Sequence, residues 1–261
     1  MKFIIAVDCD GAACVVGQPG RALSDSCDMG FARLQATREA DAAARALFDN
    51  GADEVIVWDN HGSGANLDFA LLDSRCRVAL GSGFGRRWPG LDGGFTGVAM
   101  IGYHAMEGTP QGVLAHTYSP SAFRCVRVNG VEMGEMALDA AVAGACGVPL
   151  IFVASDEAGC AEAKRFMPWV ETAATKQGVA CHAAFSKHPA AAVEEIHRGV
   201  RRAVARIKEM QPFSTPSPAT VEICFKHLHQ AVKARLRRRG WRLAGPKTLR
   251  ANLPTMAHWC C

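Results

Sequence analysis

The stretch IIAVDCDGAA, residues 4–13, runs an apolar segment straight into two carboxylates, Asp8 and Asp10, separated by one cysteine. In an extended chain, side chains at i and i+2 point the same way, so the two lie close together. Ionised carboxylates at that spacing repel, and the pair must hold either a shared proton or a cation. Comparable polar residues follow other apolar runs: Asp59, Asn60 and His61 after the second, His104 after the third, Asp156 after the fourth. Adding His61, His104 and Glu135 to the aspartate pair makes a mixed carboxylate and imidazole set, which suits Zn²⁺ and can hold two ions. His116, in GVLAHTYS, follows a glycine-rich loop, where a neutral imidazole can relay protons near physiological pH.

Each of these residues has a structural alternative. A strand-end aspartate is often the N-cap of the next helix, the role expected of Asp59 or Asn60 taken singly. A lone histidine after a strand or in a loop is commonly a satisfied structural residue, and Glu135, on a helix, is a surface residue by default. The metal alternative gains weight because such residues follow several successive strands. Cys9, between two negative charges, is a poor nucleophile because they raise its pKa.

The elements that must position this set are legible as four short apolar runs: Phe3 to Val7, Glu54 to Trp58, Val98 to Gly102 and Leu150 to Ala154. Each has the length of a strand buried on both faces, and helix-like stretches lie between several of them, as parallel βαβ units require. Open parallel sheets bind ligands beyond the carboxyl ends of their strands, so the polar residues converge on one edge. A helix is expected after Asp28, stopping at Asn50-Gly51; a second runs from about Gly134 to the Gly147-Val148-Pro149 stop; a third, amphipathic, carries Val193, Ile196, Val200, Val204 and Ile207. Asn129-Gly130 marks a hairpin. The expected fold is α/β: a largely parallel central sheet flanked by helices, a small hairpin-containing substructure and a C-terminal appendage. The expected division is 1–210 as the α/β domain, 211–218 as a linker with three prolines, and 219–261 as a basic C-terminal segment.

Composition excludes several classes. Of 261 residues, 49% are hydrophobic and 21% charged, as in a soluble globular protein. No apolar run approaches membrane-spanning length, the apolar stretch before Asp8 is too short for a signal peptide, and a cytoplasmic location is expected. Eleven scattered cysteines without a CxxC fit reduced, mostly buried thiols. The net charge of +4 is unevenly placed: nine basic and no acidic residues follow Glu222, leaving 20 basic against 25 acidic residues in 1–222. The body is therefore no evident nucleic-acid binder, and only the tail is suited to nucleic acid or acidic lipid.

The motifs AVDCDG, DNHGSGANL, FTGVAMIGYHA, GVLAHTYS, NGVEMGEMALDAAVAG, VPLIFVASDEA and TAATKQG together resemble the D-aminopeptidase family of zinc metallopeptidases, family M55. The resemblance implies metal ligands at Asp8, Asp10, His61, His104 and Glu135, a catalytic histidine at His116, and two zinc ions sharing bridging acidic ligands. It implies cleavage after an N-terminal D-amino acid, with D-alanyl peptides as typical substrates, in a ring-like homo-oligomer. A related metal-dependent amidohydrolase and a catalytically silent metal- or peptide-binding relative are the alternatives. Two departures stand out. The family usually has glutamate where this chain has Asp10, one methylene shorter. Beyond Phe225 the family continues with an acidic, alternating segment, whereas this chain turns basic, as expected of a shifted reading frame or a divergent replacement.

Overall fold

Residues 1–260 are described by a computed structural model of the chain. In chain order, β1 (Lys2–Val7), α1 (Met29–Asp49), β2 (Glu54–Asp59), β3 (Arg77–Ala79) and β4 (Gly97–Ile101) come first. The hairpin β5 (Phe123–Val128) and β6 (Val131–Glu132) leads to α2 (Glu135–Ala145), β7 (Leu150–Ser155), α3 (Glu157–Phe166) and β8 (Glu171–Ala174). A second hairpin, β9 (Lys176–Ala180) and β10 (Ala183–Ser186), precedes α4 (Pro189–Ala205), β11 (Ala219–Phe225), α5 (Leu228–Arg237), β12 (Arg242–Gly245) and β13 (Thr248–Leu253).

The apolar runs form a six-stranded sheet in the order β3-β2-β1-β4-β7-β8, with every pairing parallel. Phe3 to Val7 are all buried because both faces of β1 are covered, which explains an unbroken apolar run where a half-exposed strand would alternate. The two-residue period survives in where the side chains go. Ile4 and Ala6 join the core on the α2 side, while Phe3, Ile5 and Val7 join the core under α1 and α4. The alanine-rich face of α1 lets it lie close to the sheet and to α4, the other helix on that face. Asn129 and Gly130 both have positive φ, 51° and 82°, as the expected hairpin turn needs.

The segment after residue 218 shares a sheet with the body. β11 pairs antiparallel with both β5 and β13, giving the order β12-β13-β11-β5-β6. The expected boundary at 211–218 is an extended connection, but a single core spans both sides of it: Val126, Met136 and Val142 pack with Val221, Leu249, Met256 and Trp259. Along β11, Ala219, Val221, Ile223 and Phe225 are buried and the residues between them half-buried. Leu249 and Ala251 continue the buried face on β13. A segment read out of frame has no reason to supply a strand in register with a matching buried face, so the basic tail is an integral part of the fold. Its charges are paired, Arg250 with Glu222 inside the segment at 2.5 Å and Lys226 with Glu107 of the body at 2.8 Å. Among the described residues, no helix is long and apolar enough to cross a membrane, and the ten described cysteines are free.

Candidate metal centre

The strand order reverses around β1: β2 and β3 lie on one side, β4, β7 and β8 on the other. The crevice at such a switch point is where open parallel sheets hold ligands. Asp8 and Asp10 enter it on the loop after β1, His61 on the loop after β2, and His104 on the loop after β4. The first and last of these loops touch backbone to backbone, Gly11 N–H donating to Gly102 O at 2.7 Å. A Cβ on Gly11 would lie 1.8 Å from Tyr103 O, and Gly102 has φ +70° with its Cβ direction blocked by Asp8 O, so both positions require glycine.

Asp59 and Asn60 cap no helix. The Asp59 carboxylate accepts the N–H groups of Asn66 at 2.5 Å and Leu67 at 3.0 Å, closing the loop that carries His61, and Asn60 Nδ2 donates to Tyr103 OH at 2.7 Å. Asp156 caps α3 through Gly159 N–H and also accepts Val113 N–H, both at 2.7 Å. It thereby pins the loop of His116 and does not itself join the cluster. That loop is conformationally demanding, with positive φ at Gln111, Leu114 and Tyr118. Non-glycine residues hold such angles only where the surroundings enforce them. Glu135, the first residue of α2, is turned inward and 5% exposed, contrary to the surface position expected of it by default.

Six donors gather as two trios, Asp8 with Asp10 and His61, and His104 with His116 and Glu135; within each, the ligand atoms all lie within 4.8 Å of one another. Asp8 faces both trios. Its Oδ1 is 2.7 Å from His61 Nδ1 and its Oδ2 is 3.6 Å from His104 Nε2. Asp10 Oδ2 is 3.1 Å from His61 Nδ1, so the shorter side chain still reaches the cluster. Glu135 Oε1 lies 3.4 Å from His104 Nε2 and 3.8 Å from His116 Nε2 and accepts Tyr118 N–H at 2.6 Å. The His104 and His116 rings stack at 3.9 Å. Each places Nδ1 against a backbone carbonyl, His104 on Ala105 O at 3.0 Å and His116 on Leu114 O at 2.8 Å. These bonds assign the proton to Nδ1 and leave both Nε2 atoms facing the crevice.

Electrostatics inside the cluster is dominated by its own members. Burial raises the Asp8 pKa, but the hydrogen bond and charge of His61 and the charge of His104 outweigh it and hold the carboxyl well below its usual range. Burial opposes charge on His61 as well, yet Asp10 and Asp8 push it up to about 11; His104 rises to about 10 against burial through Glu135, then Asp8 and Asp10. Glu135 is lowered, His104 and His116 overcoming its burial. The carboxylates thus demand positive charge. Asp10 Oδ2 and His104 Nε2 are buried without a hydrogen-bond partner. Zinc coordinated by oxygen and nitrogen at about 2.0–2.2 Å in tetrahedral geometry separates its donors by roughly 3.3 Å, close to the spacings above. Orphaned donors, spacing and charge all fit a metal.

Several residues that serve the site were not singled out by type or spacing. Lys176, in TAATKQG, is buried and donates to three carbonyls of the Asp10 loop. Glu39 on α1 accepts Ala13 N–H of the same loop, and Glu162 on α3 accepts Met106 N–H just beyond His104. Asp139 on α2 collects Arg87, Tyr103 OH and Tyr118 OH. A charged residue is expected at the surface, and nothing in the local pattern marks these as buried. Cys9 is buried, and burial together with Asp8 and Asp10 raises its thiol well above the usual range, as expected.

A parallel sheet with paired carboxylate and imidazole trios over the ends of its central strands is an α/β scaffold whose crevice could hold metal. The D-aminopeptidase family model matches residues 1–260, basic tail included, and the chain belongs to that family. A D-aminopeptidase of Bacillus subtilis (strain 168) is 32% identical over 240 residues, covering 90% of this chain and 85% of that one. The solved structure of the Zn-dependent D-aminopeptidase DppA from Bacillus subtilis, a self-compartmentalizing protease, superposes with a TM-score of 0.89 at 28% identity, over 99% of this chain and 93% of that one.

Proposed function

We propose that the protein is a zinc-dependent aminopeptidase that releases N-terminal D-amino acids, of the D-alanine type, from short peptides. The observation that carries this is the pair of donor trios joined by Asp8, with two buried donor atoms left without partners, in a chain of this family. Asp8, Asp10, His61, His104 and Glu135 would hold the metal, in line with two ions per subunit. When bound, zinc supplies Lewis-acid polarisation of the scissile carbonyl and a water acidified to a pKa of about 7. His116 is held by Leu114 O at Nδ1, so its Nε2 is the atom that accepts a proton or hands it to the leaving amine. Tyr118 N–H fixes one Glu135 oxygen, and the stacked His104 ring fixes the plane of His116. Val7, Ile101 and Tyr103, next to the ligand loops in the chain, are all buried.

The same proposal makes the protein a homo-oligomer. Leu228, Val232 and Leu236, all exposed at helical spacing on α5, are a face such an assembly can cover. The deciding experiment is metal analysis combined with release of D-Ala against L-Ala from matched dipeptides. D-Ala release that disappears on chelation and returns with zinc is expected. Bound zinc with preference for L-Ala or another amide indicates a related amidohydrolase, zinc without turnover a silent relative, and protein that binds no zinc refutes the proposal.

A further inference from the structure

The loop from Cys9 to Gly17 carries Asp10 and follows directly on Asp8, yet it has no regular structure of its own. Its N–H groups are taken up one by one: Ala13 by Glu39, Cys14 by Ser186 Oγ at 2.7 Å, and Val16 and Gly17 by Asp28. Its carbonyls turn the other way. Those of Asp10, Ala12 and Val15 converge on Lys176 Nζ at 2.7, 2.8 and 2.5 Å, and the neighbouring Thr175 Oγ1 donates to Gly11 O at 2.7 Å. An ammonium has three protons, and here all three are matched by backbone oxygens with no carboxylate bonded. Lys176 is 2% exposed, so the charge is not at a water-facing rim, and a buried charge is costly unless something requires it.

Resting on the zinc proposal above, we infer that Lys176 is a positioning residue of the metal centre: its ammonium serves as a tethered monovalent cation that fixes the loop presenting Asp10. The aspartate at position 10 sharpens the dependence. Its short arm has only two torsions, so its carboxylate goes where the backbone at residue 10 puts it, and that backbone carbonyl is bonded to Lys176. The Lys176 ammonium bonds only the Asp10 loop and none of the His104, His116 and Glu135 trio, which is carried by other loops and by α2. Its loss should therefore weaken one class of zinc and spare the other.

The test is Lys176→Met, uncharged and one atom shorter, titrated with zinc against a chromophoric chelator alongside the wild type. Removing an outer partner of a metal ligand typically lowers affinity about 10- to 100-fold, and that loss is expected for one class of zinc only. In Lys176→Ala, added propylammonium should restore that class and the isosteric neutral propanol should not. If both variants fail to fold, Thr175→Val, which removes the tie to Gly11 O together with a longer one to Ser155 O, should show a smaller loss confined to the same class. Zinc affinities within about twofold of wild type in every folded variant, or rescue by propanol as good as by propylammonium, would overturn the inference. Wild-type protein that holds no zinc fails the zinc proposal itself, and the control shows this before any variant is compared.

Discussion

Replacing Glu39 by glutamine should stabilise the protein at neutral and alkaline pH and change little in acid. Glu39 is fully buried on α1. Its Oε1 accepts Ala13 N–H at 2.9 Å and Gln35 Nε2 at 2.8 Å, while its Oε2 and Gln35 Oε1 have no partner. Burial lifts its pKa from 4.5 to about 7, against those two hydrogen bonds and the Lys176 charge. Below the unfolded value the carboxyl is protonated in both states and the fold keeps its full stability. Between 4.5 and about 7 the folded chain retains a proton that the unfolded chain gives up, so stability falls as pH rises, and above about 7 the loss is complete. A span of about 2.5 pH units at 1.36 kcal/mol each amounts to about 3 kcal/mol. Lys176 does not confuse the measurement. Burial lowers it from 10.5 to about 8, so its contribution runs the other way and at higher pH, stability rising from about 8 to 10.5, where the folded chain has given up a proton that the unfolded chain keeps. The assay is urea unfolding of both proteins at fixed zinc and salt from about pH 5 to about pH 8, taking the difference at each pH. Glutamine should gain about 3 kcal/mol relative to glutamate across that range; a difference constant to about 0.5 kcal/mol would refute the account of Glu39.

The C-terminal end should matter to activity as well as to stability. Trp259 Nε1 donates to Tyr118 OH at 3.0 Å, and the Tyr118 N–H holds Glu135, so Trp259→Leu should cost about 2–4 kcal/mol in urea unfolding and lower kcat/KM at saturating zinc. Unchanged kinetics would separate the tail from the site. Asp139→Asn leaves Arg87, bonded to it at 2.9 Å through Nε, as an uncompensated buried cation and should cost about 3–5 kcal/mol, read in the same way.

The strands that carry the site were legible because they are the most buried: β1, β2, β4 and β7 are continuous apolar runs, and the polar residue after each one marks the sheet edge. β3, β8 and the β9-β10 hairpin were not, being short and partly exposed, with sequences such as RVA and ETAA that have neither apolar length nor alternation. β11 does alternate, but its partners β5 and β13 lie on opposite sides of it in sequence, and only tertiary pairing reveals the sheet. The same distinction divides the site. Asp8, Asp10, His61 and His104 follow strands and are found by position. Glu135 begins a helix and His116 lies in a loop held at three positive φ angles, so their convergence depends on how α2 and that loop pack, which spacing does not encode.

Position 10 shows how the two levels meet. The side chain is one methylene shorter than the family's usual glutamate, and in isolation that predicts a weaker or displaced ligand. Its oxygen nonetheless comes within 3.1 Å of His61 Nδ1, because the backbone beneath it is clamped on both its polar sides, carbonyls by Lys176 and Thr175 and N–H groups by Glu39, Ser186 and Asp28. A long flexible ligand can correct a misplaced backbone; a short one cannot, but it loses less rotamer freedom when held. The precision of the centre is thus transferred from the ligand to the loop, and from the loop to residues on α1, β9 and β10 that are distant from it in sequence. Changes in those residues should alter metal binding although none of them touches the metal.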